Sequence, residues 1–106
     1  MGLVYIIRIS EKGQPWKHSR YEGISLDRCR ELLMSRMPKN RNAVGEIYKI
    51  SDSKEKDAVR LIRRMGVQGN SVNDDIVRYY ATKCDTAVWV PEKKMFRFGT
   101  GKYGSV

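Results

Sequence analysis

Lys56, Arg60, Arg63 and Arg64 recur at spacings that place them on one side of a helix, opposite Ala58, Leu61, Ile62 and Met65. With Lys54 at 0° and about 100° per residue, the cations fall between about 180° and 280° and the apolar residues centre near roughly 50°. Glu55 and Asp57 flank the stripe, so in-helix pairing is expected to neutralise little of it. A charged helix face is most often simply solvated. Here it belongs to a chain that is basic throughout, and unpaired cations on a rigid element suit a polyanion. The expected chemistry is phosphate neutralisation with release of counterions, giving affinity with little sequence preference. Arg28, Arg30, Arg36, Lys39 and Arg41 extend the basic surface in this reading, with Lys93 and Lys94 at its edge.

A second candidate is the segment Pro15-Trp16-Lys17-His18-Ser19-Arg20-Tyr21, read as a loop. Cations interleaved with aromatics suit single-stranded nucleic acid, where a base stacks on a ring while Lys17 or Arg20 meets phosphate. The plainer alternative has Trp16 and Tyr21 folding back onto the core and pinning the loop. His18 is the only histidine, so a two-histidine metal site is excluded. Beside Tyr21 it is the candidate for acid–base work on a phosphodiester, which ranks below binding. No catalytic cluster, metal site or cofactor is expected. Gly99-Thr100-Gly101-Lys102 lacks the full phosphate-loop pattern and no helix follows it. Asp74 and Asp75 read as first-turn residues that complement a helix dipole.

With 106 residues the chain is one domain. Its 41% apolar and 31% charged residues are those of an ordinary globular protein. The net charge of +9 is spread through both halves and makes nucleic acid the default partner, DNA and RNA being indistinguishable by charge. No segment carries large exposed apolar anchors for a membrane surface. Cys29 and Cys84 are too few for a disulfide scaffold or a four-ligand zinc site, and both read as buried thiols on helices in a reducing compartment. Leu3–Ile9 is apolar but lacks the length and basic start of a signal peptide. An intracellular protein is therefore expected, cytoplasmic or nucleoid-associated, or in a host cell if it is viral.

The elements that must position these residues follow from periodicity. Leu3–Ile9, apolar on both alternating faces until Arg8, predicts a strand inside a sheet. Glu11 to Gly23 reads as a loop. Ser25 caps a helix whose buried stripe is Leu26, Cys29, Leu33 and Met37, closed by Pro38. Gly45–Ile50 predicts a second strand. Asp52 with Glu55 reads as a capping box for the basic helix, and Gly66 as its left-handed C-cap. After a turn over 67–72, Asn73 caps a third helix in which Ile76, Val77, Tyr80, Ala81 and Cys84 repeat. Thr86–Val90 and Met95–Phe98 form a hairpin tipped by Pro91-Glu92-Lys93-Lys94. Residues 1–98 are the domain and 99–106 a flexible Gly-rich basic tail. The fold class is α+β, in the order β-α-β-α-α-β-β, with a mostly antiparallel sheet and the helices as a layer on one face. A first strand apolar on both sides, however, asks for cover on each.

From residue 26 onward the order of helix, strand, two helices and hairpin resembles winged-helix DNA-binding domains. That alternative implies Asn73–Lys83 as the recognition helix and Lys93 and Lys94 as the wing tip. Val4-Tyr5-Ile6, Tyr21-Glu22-Gly23 and Arg28 or Arg30 look faintly like the start of the GIY-YIG nucleases. That implies phosphodiester roles for Tyr5, Tyr21 and one of the arginines, although Leu3 replaces the first Gly and Glu22 an apolar residue. Three functions are thus carried forward: a small nucleic-acid-binding protein without catalysis; a viral or mobile-element interaction module or inhibitor whose basic face docks on an acidic protein groove; and, last, a metal-dependent nuclease. A homodimer through Val88, Trp89, Phe96 and Phe98 is a further candidate.

Overall fold

Val4 and Ile6 leave the first strand on one side and Ile7 on the other, and the remaining elements cover both apolar sets. The computed structural model describes residues 3–65 and 71–105, with only the backbone for 71–75. Its elements are β1 (Leu3–Glu11), β2 (Lys17–Glu22), α1 (Leu26–Arg36), β3 (Ala43–Ser51), α2 (Asp52–Arg64), α3 (Ser71–Tyr80), β4 (Thr82–Val90), β5 (Met95–Phe98) and β6 (Tyr103–Gly104). They build one six-stranded sheet in the order β2-β1-β3-β4-β5-β6, antiparallel at every pairing. The α+β class and the interior place of β1 are as the sequence led us to expect. The helices, however, lie on both faces of the sheet.

On one face α1 lays Cys29, Leu33 and Met37 against Ile7, Ala43, Ile47, Ala87, Phe96 and Phe98. On the other, α2 and α3 bring Ala58, Ile62, Ile76 and Val77 onto Val4, Ile6 and Ile50. Each large apolar side chain so buried contributes roughly 1.5–3 kcal/mol. Two such layers are what a strand apolar on both sides requires.

Helix α1 forms where the sequence places it. The Ser25 hydroxyl accepts from the Arg28 amide at 3.1 Å, Asp27 sits in the first turn, and Met37 ends the helix just before Pro38. It crosses β3 at Gly45, where an added Cβ would lie 2.6 Å from Leu33 Cδ1. Glycine there lets helix and sheet approach.

Several elements differ from expectation. Lys17–Glu22 is an edge strand, not a loop: the chain turns through Gly13 (φ 81°) and pairs back along β1 from Ile9↔Lys17 to Val4↔Glu22. Helix α2 is capped by Ser51, whose hydroxyl accepts from the Lys54 amide at 3.2 Å, one residue before the expected Asp52. Glu55 therefore closes no capping box and turns inward instead. The buried side of α2 is Glu55, Ala58 and Ile62, whereas Leu61 and Met65 are exposed, Met65 by 70%. Helix α3 begins at Ser71, so Asn73 is helical backbone and not its cap. The expected C-cap Gly66 lies outside the described residues, as does most of the expected 67–72 turn.

Helix α3 stops at Tyr80, and Thr82–Val90 pairs with β3 as a long strand, so Cys84 is on a strand and not a helix. Pairing shifts between Ile47↔Asp85 and Tyr48↔Lys83, which leaves Cys84 as the bulged residue. Both cysteines are free; Cys29 is buried and Cys84 half-buried. In the Gly-rich stretch read as a loose tail, Tyr103 and Gly104 pair with β5. Phe96 and Phe98, offered as a dimer surface, are core residues beneath α1, and Trp89 packs edge-on against Phe96 with ring centroids 4.9 Å apart.

Candidate nucleic-acid interface

The outer side of α2 is built by its inner side. Ala58 and Ile62 seat the helix on the sheet, which turns Lys56, Arg60, Arg63 and Arg64 to solvent. Arg63 and Arg64 also occupy the last turn, where cations complement the helix dipole. In-helix pairing is greater than the sequence suggested: Lys56 Nζ lies 3.3 Å from Asp52 and Arg60 Nη1 4.0 Å from Asp57. Both pairs are solvent-exposed, so each holds its cation only weakly. Arg63 and Arg64 have no ion-pair partner among the described residues. A shallow groove of about 380 Å³ runs along this side, lined by Glu55, Lys56, Val59, Arg60 and Arg63.

The other basic candidates are placed elsewhere. Helix α1 and α2 lie on opposite faces of the sheet, so cations on α1 do not prolong the α2 stripe. Arg28 pairs with Glu31 at 2.8 Å. Arg30 is structural: its Nε donates to Asp85 at 2.8 Å and its Nη1 to Asp27 at 2.8 Å. Arg36 donates to the Ser19 hydroxyl at 3.0 Å and lies over the Tyr21 ring. Lys39 Nζ is 5.8 Å from the Trp89 ring centroid, Arg41 pairs with Glu92, and Lys93 sits 4.2 Å over the Tyr103 ring. Lys94 is exposed at the hairpin tip, with its backbone in the left-handed region (φ 52°).

Because residues 17–22 form a strand, alternation sends the members of the Trp16–Tyr21 candidate to both faces. Ser19 and Tyr21 face α1, and Lys17 and Ser19 line a 370 Å³ cleft with Arg36 and Pro38. His18 and Arg20 face the α2 side, so the acid–base pair His18 and Tyr21 is not brought together. Tyr5 and Tyr21 do stand directly opposite one another. The Tyr5 phenol is pushed above its ordinary pKa, mainly by burial, and the Tyr21 hydroxyl is buried with no hydrogen-bond partner. Among the described residues no group of three His, Cys, Asp or Glu side chains could hold a metal ion. No helix among them is long and apolar enough to cross a membrane.

No protein-family model, curated protein or solved structure matches this chain. Its chemistry has to be read from its own surface.

One surface was not legible in the sequence. Cross-strand partners on the α2/α3 face form successive rows, and the apolar members at one end pack against the helices. Glu22–Val4–Ile50 lies beneath them, and Arg20–Ile6–Tyr48–Lys83 at their margin. The next row, His18–Arg8–Glu46–Thr86, is half-buried, with Arg8 lining a hollow beside Val77 and Arg78 of α3, and the row after it, Ser10–Val44–Val88–Arg97–Tyr103, ends in the exposed Arg97 and Tyr103. Arg8 stacks on Trp16 with its guanidinium 4.1 Å from the ring centroid and pairs with Glu46 at 3.6 Å. Glu46 also accepts from Lys83 Nζ and the Tyr48 hydroxyl, both at 3.2 Å. Burial, and then the Glu46 charge, raise the Tyr48 pKa. The hints in the sequence were Arg8, which interrupts an otherwise apolar run, and Trp16, already part of the stacking candidate.

Proposed function

We propose that this protein binds nucleic acid through phosphate contacts made by Lys56, Arg60, Arg63 and Arg64, without catalysis and with little sequence preference. The observation that carries the reading is the outward face of α2: four cations on a docked helix, two of them without a carboxylate partner among the described residues. Displacing condensed counterions from a phosphate backbone is favourable wherever such cations are held rigidly. The chain-wide charge of +9 supports the same polyanionic partner.

The test is fluorescence anisotropy with labelled duplex DNA, single-stranded DNA and hairpin RNA across a salt series. Affinity is expected to fall steeply with log salt. Arg63→Ala with Arg64→Ala should weaken binding to every sequence and flatten the slope by roughly 1.5–2, near one per lost phosphate contact. An unchanged slope in a folded double variant removes the assignment.

A further inference from the structure

The outermost row on this face of the sheet has a different chemistry from the α2 stripe. The row Ser10–Val44–Val88–Arg97–Tyr103 crosses five neighbouring strands, a span of roughly 20 Å at the usual strand spacing. Aromatic rings stand at both ends. Trp16, held by the Arg8 guanidinium, lies just before β2, and Tyr103, 40% exposed with Lys93 over its ring, lies on β6. Between them the half-buried Val44 and Val88 make the floor apolar.

Among the described residues its charge is positive. Arg97 is exposed with no ion-pair partner among the described residues. Glu46 is the one carboxylate in this row and the row before it, and Arg8 and Lys83 both hold it. At the margin, Arg78 and Lys83 line a 340 Å³ hollow with Tyr48.

We propose that this outermost row takes single-stranded nucleic acid, with unpaired bases stacked over Trp16 and Tyr103 and phosphates met by Arg97 and Lys93; the inference rests on the nucleic-acid reading above and narrows its ligand. A phosphate-only surface would have no use for an apolar floor between cations. A duplex keeps its base faces inside its own stack, so rings set in a sheet gain little from it. A second copy of this chain docking face to face would bring like charges together, which disfavours it as the occupant. A single strand offers both a polyanion and free π-faces, and stacking on an aromatic ring is worth a factor of about 5 to 150 per base.

The experiment uses the whole chain carrying Trp89→Phe, which leaves Trp16 as the only tryptophan. An unlabelled oligothymidylate and a duplex of matched phosphate content are each titrated in, with affinities measured by competition. The single strand is expected to quench Trp16 emission strongly and the duplex little. Tyr103→Ala should weaken single-strand binding about tenfold while changing duplex affinity less than twofold. Arg63→Ala with Arg64→Ala should weaken both. Tyr103 is exposed, so its variant is expected to fold, which far-UV circular dichroism checks. Unquenched Trp16 together with wild-type binding by Tyr103→Ala would overturn the inference, while a loss in the α2 variant would leave the backbone reading standing. No binding of either nucleic acid at low salt would overturn both.

Discussion

Arg20 Nε lies 2.8 and 2.9 Å from the two carboxylate oxygens of Glu55, clamping edge strand β2 to helix α2 from 35 residues away in sequence. Its Nη2 lies 2.7 Å from Glu55 Oε1, and Glu22 and Asp52 complete the acidic surround. The acidic partners hold the Arg20 guanidinium firmly protonated, and the Glu55 bond contributes most. The clamp makes Arg20 a fixed part of the scaffold, and it explains why a glutamate occupies the inner side of a helix.

The two halves of the clamp should not be equivalent. Arg20 is 48% exposed at its side chain while Glu55 is nearly buried, so solvent screens one and not the other. Glu55→Gln leaves an arginine that water and Glu22 still satisfy and is expected to cost about 1 kcal/mol. Arg20→Ala strands a buried carboxylate and is expected to cost about 2–3 kcal/mol. Urea denaturation of both single variants and the double variant would measure the coupling. Equal costs would mean that Glu55 is hydrated in the native state.

Asp85 should be the least replaceable carboxylate described. Its side chain is 1% exposed. It accepts from Arg30 Nε at 2.8 Å, the Thr86 amide at 2.9 Å and the Gly99 amide at 3.0 Å. It thereby ties α1, β4 and the chain after β5 together. Asp85→Ala removes an acceptor from Arg30 Nε and the Thr86 amide and leaves the Gly99 amide only the Thr86 carbonyl, with an expected loss of about 3 kcal/mol. Arg30→Ala should likewise lower the melting temperature, yet leave the salt slope of nucleic-acid binding unchanged, since its guanidinium already serves Asp85 and Asp27. Calorimetry and anisotropy on the same variant separate the two effects.

Legibility followed locality. Strand β1 and helix α1 could be read because their evidence is contiguous: an apolar run for one, and Ser25, a 3.6-residue stripe and Pro38 for the other. Strand β2 could not, because Lys-His-Ser-Arg-Tyr-Glu has no apolar alternation. What holds it is the ladder to β1 and the distant partners Glu55 and Arg36. Cys84 continues the helical spacing of Ile76, Val77 and Tyr80 by coincidence, and the bulge opposite Ile47 and Tyr48 absorbs it into β4. The same holds for function. The α2 stripe lies within one helix and was visible, whereas the two outer rows of the sheet are drawn from six strands and exist only once the register is set.

Gly45 and Gly104 form a natural pair for testing how closely α1 approaches the sheet. A Cβ at Gly45 would sit 2.6 and 3.1 Å from the two methyl carbons of Leu33, which is fully buried, and 3.0 Å from Met37 Sδ. A Cβ at Gly104 would meet Met34 Sδ at 2.7 Å, but that side chain is only half-buried and flexible. Gly45→Ala is therefore expected to destabilise by about 1–3 kcal/mol, and Gly104→Ala by less than about 1 kcal/mol. Thermal melts of the two variants check the order. A reversed order would place the tight crossing at β6 instead of β3.

The Cys29 thiol gives the fold an alkaline limit. Burial pushes its pKa from 9.0 to about 11; the nearby Cys84 thiol adds to the rise, and Arg30 opposes it. A group that holds its proton more tightly when folded stabilises the fold fully below its unfolded pKa. That contribution, on the order of 3 kcal/mol, is lost as pH climbs from about 9 through about 11. Tyr5 and Tyr48 are also raised, from 10.0, so they join the loss at higher pH, and the stretch between pH 9 and 10 belongs mainly to the thiols. Cys84 is raised as well, and a Cys84→Ala background removes its share. In that background, urea midpoints should fall between pH 9 and 10 when Cys29 is present. With Cys29→Ala the protein should be weaker at neutral pH because of the cavity, yet flatter across that interval. Parallel slopes with and without Cys29 would assign the alkaline loss to another group.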